Sequence, residues 1–331
     1  MSILFLRGKE PTDRNPAETY YKNIETCDDI WTLLADKLAQ YFNSIVNVSY
    51  WGSNTMKFVK LSKNCFDLRV RQFDDRFNKE LSQHNPNIIF ARGGFKEYHS
   101  ILKAFPKAFK IYYGAGRRYM PIEGFTDYQL ILTDSVEQMQ DIQRQHPHIP
   151  VSLFVKPAPD NIMNPINTKK EYDICFPANG QQYTFKGHEF VFKTTPSKYK
   201  VLNLGFKAPL KYPKNIDSIR VSRTHIAQYY SKCKMGIVCC SGSIDSCPRV
   251  ISEMICCGLP IVVLKGVRFW EDKYINYDTG ICTDKKNFWN AADWILNNLS
   301  NFNPRRHYDN HLSLNKAAQF LANVIKFYRD K

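Results

Sequence analysis

Short apolar runs alternate with polar or amphipathic stretches along the first half of the chain. The runs that predict strands cover residues 3–6, 45–50, 87–90, 110–113 and 129–133. Between the first two, Ile30, Leu33, Leu34 and Leu38 recur at helical spacing. Each run is short and apolar enough for a strand that is buried on both faces. Repeated strand-then-helix spacing predicts a parallel sheet.

The same alternation returns after a stretch rich in proline and asparagine at 156–170, which is typical of an interdomain linker. Strands are predicted at 172–177, 199–205, 235–240 and 261–264, and helices at 226–233, 248–257, 291–299 and 315–328. We therefore predict one domain over 1–158 and a second over 168–312. The final helix, within 313–331, is expected to pack back toward the first domain.

Residues 235–264 predict a strand, a loop, a helix and a second strand. Pro248 suits the first turn of the helix, and Gly258 with Pro260 ends it. The loop and the helix N-terminus then lie at the carboxyl edge of a parallel sheet, which favours phosphate binding. Asp245 and Glu253 frame this edge. Alternatively, Asp245 caps the helix and Glu253 pairs with Arg249 on a solvated face.

The stretch resembles the Glu-x7-Glu signature of retaining, group 1 type GT-B glycosyltransferases, with an aspartate, Asp245, as the first acid. The resemblance implies an α/β fold of the GT-B class, in which two Rossmann-like domains face each other across a cleft. It also implies that the second domain binds a nucleotide-diphosphate sugar. Asp245 would lie near the transferred sugar, and Glu253 would hold the ribose. The diphosphate would bind to the segment between them, namely Cys247, Pro248, Arg249 and Val250.

Further donor contacts are implied by glycines and a lysine that follow predicted strands. Gly180 and Lys186 lie in a loop that resembles the glycine and Lys-Gly segment of the GT-B donor domain, where Lys186 would hold a diphosphate oxygen and act in catalysis with Asp245. The arginine that usually follows the glycine is Gln181 here. Gly205 ends the next strand. Gly8 resembles the glycine near the sugar in the first domain, because it lets the backbone approach a ligand.

Arginines collect where strands of the first half end. Arg92 precedes two glycines, and Arg117, Arg118 and Tyr119 follow Gly114-Ala-Gly. These four side chains are predicted to bind the acceptor, although Arg117 and Arg118 would equally suit an ordinary surface pair.

Composition narrows the choice of partners. The 331 residues are 44% hydrophobic, which predicts a globular protein, and the formal net charge is +15. Residues 166–331 contain 25 Lys and Arg against 13 Asp and Glu, so they contribute +12 and the rest +3. Such a basic half suits a nucleotide, a phospholipid surface or nucleic acid. No apolar run approaches the ~20 residues of a membrane span, so we expect a cytoplasmic protein, or one peripheral to the inner face of the membrane.

The sequence lacks the motifs that mark several other classes of enzyme. No two aspartates are two positions apart, as a metal-dependent GT-A enzyme would need, and His146 and His148 have no neighbouring acid or cysteine. Gly-x-Ser-x-Gly, a Walker lysine and His-Glu-x-x-His are also absent. We therefore expect a metal-independent hexosyl- or pentosyltransferase without a cofactor. The ten cysteines form no Cys-x-x-Cys and are predicted to be reduced.

Two acceptors remain open from the sequence. One is a hydroxyl on a glycan or a lipid-linked sugar, which we favour because the first half is nearly neutral. The other is a hydroxymethylated pyrimidine in DNA, which needs a basic stripe and aromatic side chains. A binding protein without activity on the same fold is a third interpretation, because Asp245 and Gln181 depart from the family pattern at working positions.

Overall fold

The computed structural model describes residues 2–9, 23–51, 57–70, 72–73, 75–114, 124–240 and 248–330. Contacts divide the chain into two compact units. Unit 1 comprises Met1–Phe154 together with Leu314–Lys331, and unit 2 comprises Val155–Ser313. The chain therefore returns to unit 1 for its last helix.

The strands and helices follow one another in the order that βα units require. The strands are β1 Ser2–Lys9, β2 Ile45–Trp51, β3 Lys57–Lys60, β4 Cys65–Arg69, β5 Ile88–Arg92, β6 Phe109–Gly114, β7 Leu130–Thr133, β8 Val151–Leu153, β9 Tyr172–Phe176, β10 Val201–Leu204, β11 Ile216–Ile219, β12 Cys233–Val238, β13 Ile261–Leu264 and β14 Gly280–Thr283. The helices are α1 Ile30–Phe42, α2 Asp75–Ser82, α3 Tyr98–Ala104, α4 Val136–Gln145, α5 Tyr183–Lys186, α6 His188–Thr194, α7 Ile226–Ser231, α8 Arg249–Cys256, α9 Glu271–Tyr274, α10 Phe288–Asn297, α11 Pro304–His307 and α12 Leu314–Arg329.

Unit 1 is built on an eight-stranded sheet with the order β3-β4-β2-β1-β5-β6-β7-β8. Its strands run parallel except β3, which is antiparallel to β4. Alternate residues of β1 enter different cores: Ile3 and Phe5 face the layer that contains α1 and α12, whereas Leu4 and Leu6 face the opposite layer. Both faces are therefore covered, as the apolar strand pattern predicts.

Unit 2 contains a six-stranded parallel sheet with the order β11-β10-β9-β12-β13-β14. Its strands also divide between two cores. Ile261 and Val263 face one layer, and Val262 and Leu264 face the other. Each side chain is fully buried or nearly so, and burial of one such side chain contributes about 1.5–3 kcal/mol. Among the described ranges, no helix is long and apolar enough to cross a membrane.

Several predicted elements differ from the structure in detail. Pro248 is not the first residue of a helix: its φ of −59° and ψ of 123° make it the residue before α8, which begins at Arg249. Gly8 does not lie in a turn after the first strand, because β1 continues to Lys9 with a register shift after Leu6. The sequence pattern also missed β4, because Asp67 and Arg69 interrupt its apolar run. Both are buried, and Arg69 Nε donates to Asp67 Oδ2 over 3.1 Å.

Candidate functional site

The candidate site lies at the carboxyl edge of the unit 2 sheet. From β9 the chain adds β10 and β11 on one side, and it then returns to place β12 on the other side of β9. The connections that leave β9 and β12 therefore diverge in opposite directions. In open α/β sheets, such a switch point forms a crevice outside the carboxyl ends of the two strands, where ligands bind.

The loop after β9 and the chain after β12 touch at this switch point. Gly187 has a φ of +81°, and a Cβ added there would lie 2.4 Å from the carbonyl oxygen of Cys239. Only glycine allows this approach, because any other side chain would collide with backbone. Lys186 immediately precedes Gly187, so this contact also keeps Lys186 close to the switch point.

Glycines also bring the loops after β9 and β10 together. Gly180 N donates to Phe206 O over 2.8 Å, and a Cβ at Gly180 would lie 2.1 Å from the same oxygen. Gly205 has a φ of +149°, and its added Cβ would meet Ala178 O at 2.6 Å. Gly180 and Gly205, two of the three glycines predicted to bind the donor, are thus required by loop packing, whatever ligand contact they make.

The side chain of Asn203 in β10 holds the start of the loop after β9 in place. Its side chain is fully buried, and Nδ2 donates to Phe176 O over 2.9 Å and to Ala178 O over 3.0 Å. Its Oδ1 accepts from the Tyr212 hydroxyl over 3.2 Å. Because a buried amide needs partners for both ends, these bonds fix where the loop leaves β9. The sequence signal that could have identified this role is a polar residue, Asn203, within the apolar run of β10.

The segment between Gly180 and α6 carries a lysine close in sequence to a buried imidazole. Lys186 is half-buried and ends α5, and Gly187 separates it from His188 at the start of α6. His188 is buried between the rings of Phe176 and Phe192, with centroid distances of 5.0 and 5.6 Å. Desolvation, together with the charge of Lys186, lowers the pKa of His188 to about 4. At neutral pH the imidazole is therefore uncharged, and Lys186 is the cation of the described loop between β9 and α6.

Helix α8 begins beside the same edge and carries Glu253 in its second turn. Pro248 precedes the helix without a side-chain cap in the part of the chain that the structure describes, and Arg249 is exposed. The N–H groups of a helix's first turn and its dipole favour an anion. Glu253 is 6% exposed, and its Oε1 accepts from Arg223 Nη2 over 3.2 Å. Its Oε2 accepts from the Tyr230 hydroxyl over 3.3 Å.

The predicted site residues fall into three groups. Gly180, Lys186, Gly205, Pro248, Arg249, Val250 and Glu253 all belong to unit 2 and follow or flank the strands of its carboxyl edge. Gly8 and Arg92 belong to unit 1, where Gly8 and Gly93 pack under the ring of Phe95 and Arg92 lies with its Cζ 5.4 Å from the centroid of the Trp31 ring. Asp245, Cys247, Arg117, Arg118 and Tyr119 lie outside the described residues.

Sequence reasoning missed Arg223 and Tyr230. They lie 30 and 23 positions before Glu253, on other segments of the chain. No spacing rule connects residues so far apart, because their contact depends on how α7 and α8 pack beside the sheet.

The two units are each an α/β domain with a predominantly parallel sheet, and the similar structures that follow show that the chain has the GT-B fold. It is similar to a sucrose-phosphate synthase from Thermosynechococcus elongatus, with a TM-score of 0.70, 12% identity and 99% of each chain covered. It is also similar to a glycosyltransferase from Rickettsia africae, with a TM-score of 0.71 and 13% identity over 100% of this chain and 99% of that one.

A third similar structure is HepE from Anabaena in complex with UDP, with a TM-score of 0.66 and 11% identity over 99% of this chain and 100% of that one. No protein-family model matches the sequence, and no curated protein matches it. The three similar structures confirm the predicted fold class.

Proposed function

We propose that the protein is a glycosyltransferase that moves a sugar from a nucleotide-diphosphate donor to a hydroxyl acceptor. The observation that carries the proposal is the approach of Gly187 to Cys239, which brings the Lys186 loop to the switch point from which the chain leads to α8. A cation, a helix N-terminus and a carboxylate then occupy one sheet edge. The similar structures support this assignment, because two are named as a glycosyltransferase and a synthase and a third binds UDP.

Each group of the donor has a residue of suitable chemistry. Lys186 binds a diphosphate oxygen. The N-terminal turn of α8, which contains Arg249 and Val250, binds the negative charge of the same diphosphate. Glu253 accepts hydrogen bonds from the ribose hydroxyls. Asp245 acts beside the transferred sugar, as the motif resemblance implies, and transfer proceeds with retention.

In the reaction, the bond between the anomeric carbon and the diphosphate oxygen breaks. The acceptor hydroxyl oxygen forms the new glycosidic bond to that carbon, and its proton is released to the solvent. The leaving diphosphate gains negative charge, which Lys186 and the helix N-terminus stabilise more strongly than in the ground state.

Transfer is expected to need no divalent metal, because fixed cations and backbone N–H groups supply the stabilisation that a metal gives elsewhere. Turnover with excess EDTA should equal turnover with added Mn²⁺, measured as release of the nucleoside diphosphate. Loss of turnover in EDTA that manganese restores would contradict this prediction.

The acceptor is assigned to unit 1, where Arg92, Arg117, Arg118 and Tyr119 are its proposed contacts. We propose a glycan or a lipid-linked sugar, because residues 1–165 contribute only +3 of the +15 net charge, and unit 1 with its C-terminal residues 314–331 carries +6 against +9 for unit 2. Peripheral binding to anionic lipid needs only a few exposed cations. The alternative is a hydroxymethylated pyrimidine in DNA.

The acceptor prediction is tested by offering saccharide, lipid-linked and hydroxymethylated duplex DNA acceptors with the same donor. Products are expected from the first two. Transfer to DNA alone would reverse the assignment, and DNA binding would then weaken with salt by ~0.9 log units per log unit of salt for each phosphate contacted.

The function itself is tested by thermal shift with nucleotide sugars, followed by product analysis with the donor that binds. Stabilisation and acceptor-dependent release of the nucleoside diphosphate are expected. Anomeric NMR of the product then determines the stereochemistry. Tight binding of a donor without transfer to any acceptor would favour a binding protein.

A further inference from the structure

Glu253 is held on both of its oxygens by side chains from outside its own helix. Arg223 lies in the single helical turn before α7 and bonds to Oε1, and Tyr230 near the end of α7 bonds to Oε2. The side chains of Arg223 and Glu253 are 17% and 7% exposed. The carboxylate is therefore fixed in direction as well as in place.

This arrangement is not the one that stability alone favours. Arg223 Nε is buried and has no hydrogen-bond partner in the described parts of the chain. A buried donor without a partner costs free energy, and a buried ion pair is often no better than an apolar pair of the same size. Tyr230 is fully buried, and desolvation raises its pKa well above the usual value, so its hydroxyl keeps the proton that it donates. Stability alone does not account for these features, whose direct effect is to fix the orientation of the carboxylate.

We propose that Arg223 and Tyr230 are positioning residues that make the donor site selective for ribonucleotides. Each carboxylate oxygen has two lone pairs, and each accepts one bond from this pair of side chains. One lone pair on each oxygen remains for a hydroxyl donor, which matches the 2′- and 3′-hydroxyls of a ribose. Because the carboxylate is already oriented, the ribose binds without the entropic cost of ordering it. This inference rests on the proposed function.

The proposal is tested with R223Q, which removes the charge but keeps a polar side chain, and with Y230F, which removes only the hydroxyl. Calorimetry measures their affinities for UDP and for 2′,3′-dideoxy-UDP. R223Q is expected to bind UDP roughly tenfold more weakly, and Y230F severalfold more weakly. Both should bind the dideoxy nucleotide as the wild-type protein does, because that ligand has no hydroxyl for Glu253 to accept.

The matched control is R306Q, which removes an exposed arginine that pairs with Asp278 over 2.7 Å in the same unit. It should change neither affinity. A role confined to holding α7 against α8 would weaken both nucleotides equally, and that result would overturn the proposal, as would unchanged UDP affinity in R223Q. R223K should recover part of the loss. With Glu253→Gln in place, R223Q should have no further effect, because Arg223 acts only through that carboxylate.

A first measurement separates failure of the proposed function from failure of the ribose proposal. It is the binding of UDP, GDP, ADP and CDP to the wild-type protein. If none of the four binds, the donor assignment is wrong and the ribose proposal is wrong with it. If one binds other than UDP, that nucleotide and its dideoxy form are used in the same comparison. If the wild-type protein prefers a ribonucleotide and R223Q keeps that preference, only the role of Arg223 is refuted.

Discussion

Replacing Lys186 with alanine is expected to weaken donor binding roughly ten- to a hundredfold. A charge-assisted hydrogen bond to diphosphate contributes about 1.5–3 kcal/mol, and the alanine side chain cannot make it. The resemblance to GT-B glycosyltransferases predicts an arginine where this chain has Gln181, so the loop supplies one cation where the resemblance predicts two. Calorimetry with the nucleoside diphosphate that binds most tightly to the wild-type protein measures the effect.

The control for this change is Lys193→Ala. Lys193 lies in α6, seven positions later, and pairs with Glu189 over 2.5 Å on an exposed face. Its loss removes the same charge from the same segment and should leave donor affinity unchanged. Unchanged affinity in Lys186→Ala as well would remove Lys186 from the diphosphate site. Equal losses in both variants would mean that the net charge of the segment, and no direct contact, attracts the donor.

Replacing Gly187 with alanine is expected to reduce both stability and donor affinity. The left-handed backbone alone costs about 1–2 kcal/mol for a residue with a Cβ. The new methyl group would also lie 2.4 Å from Cys239 O, so the Lys186 loop must move away from the chain that follows β12. We expect a thermal midpoint lower by several degrees and a loss of donor affinity of at least roughly tenfold, because the diphosphate contact moves with the loop.

Gly258→Ala separates these two causes. Gly258 has a φ of +79° in the same unit, and an added Cβ would meet nothing nearer than Pro165 Cγ at 3.6 Å, an ordinary contact. This variant carries the left-handed backbone cost without the collision, and it should bind the donor normally. If Gly187→Ala lowers stability no more than Gly258→Ala and keeps its affinity, the approach to Cys239 does not position the site.

The pattern of apolar positions predicted the longer buried strands of this chain and the parallel sheets that they form, but not the order of the strands. Strands buried on both faces consist of continuous apolar runs, and β12, α8 and β13 are consequently visible in the stretch from 235 to 264. Gly258 and Pro260 mark the end of the helix, because few residues tolerate those backbone conformations. Local chemistry of this kind depends on near neighbours in sequence, so it can be recognised without a structure.

The resemblance to GT-B enzymes added candidate donor-binding residues in the loops after β9 and β10. Gly180, Lys186 and Gly205 were predicted from it, and the structure shows why the two glycines are needed: an added Cβ at either would collide with backbone of the neighbouring loop. The catalytic roles of Asp245 and Lys186 stay predictions.

Tertiary structure alone decided which side chains surround Glu253. From the sequence, Arg249 was its natural partner at i, i+4, because spacing along one helix can be counted. In the structure its carboxylate bonds to Arg223, in the helical turn before α7, and to Tyr230 in α7, which lie 30 and 23 positions earlier in the chain. Asn203 likewise joins loops that the sequence separates. Such contacts depend on strand order, since the placement of β9 between β10 and β12 brings distant segments to one edge, and no local pattern encodes that order.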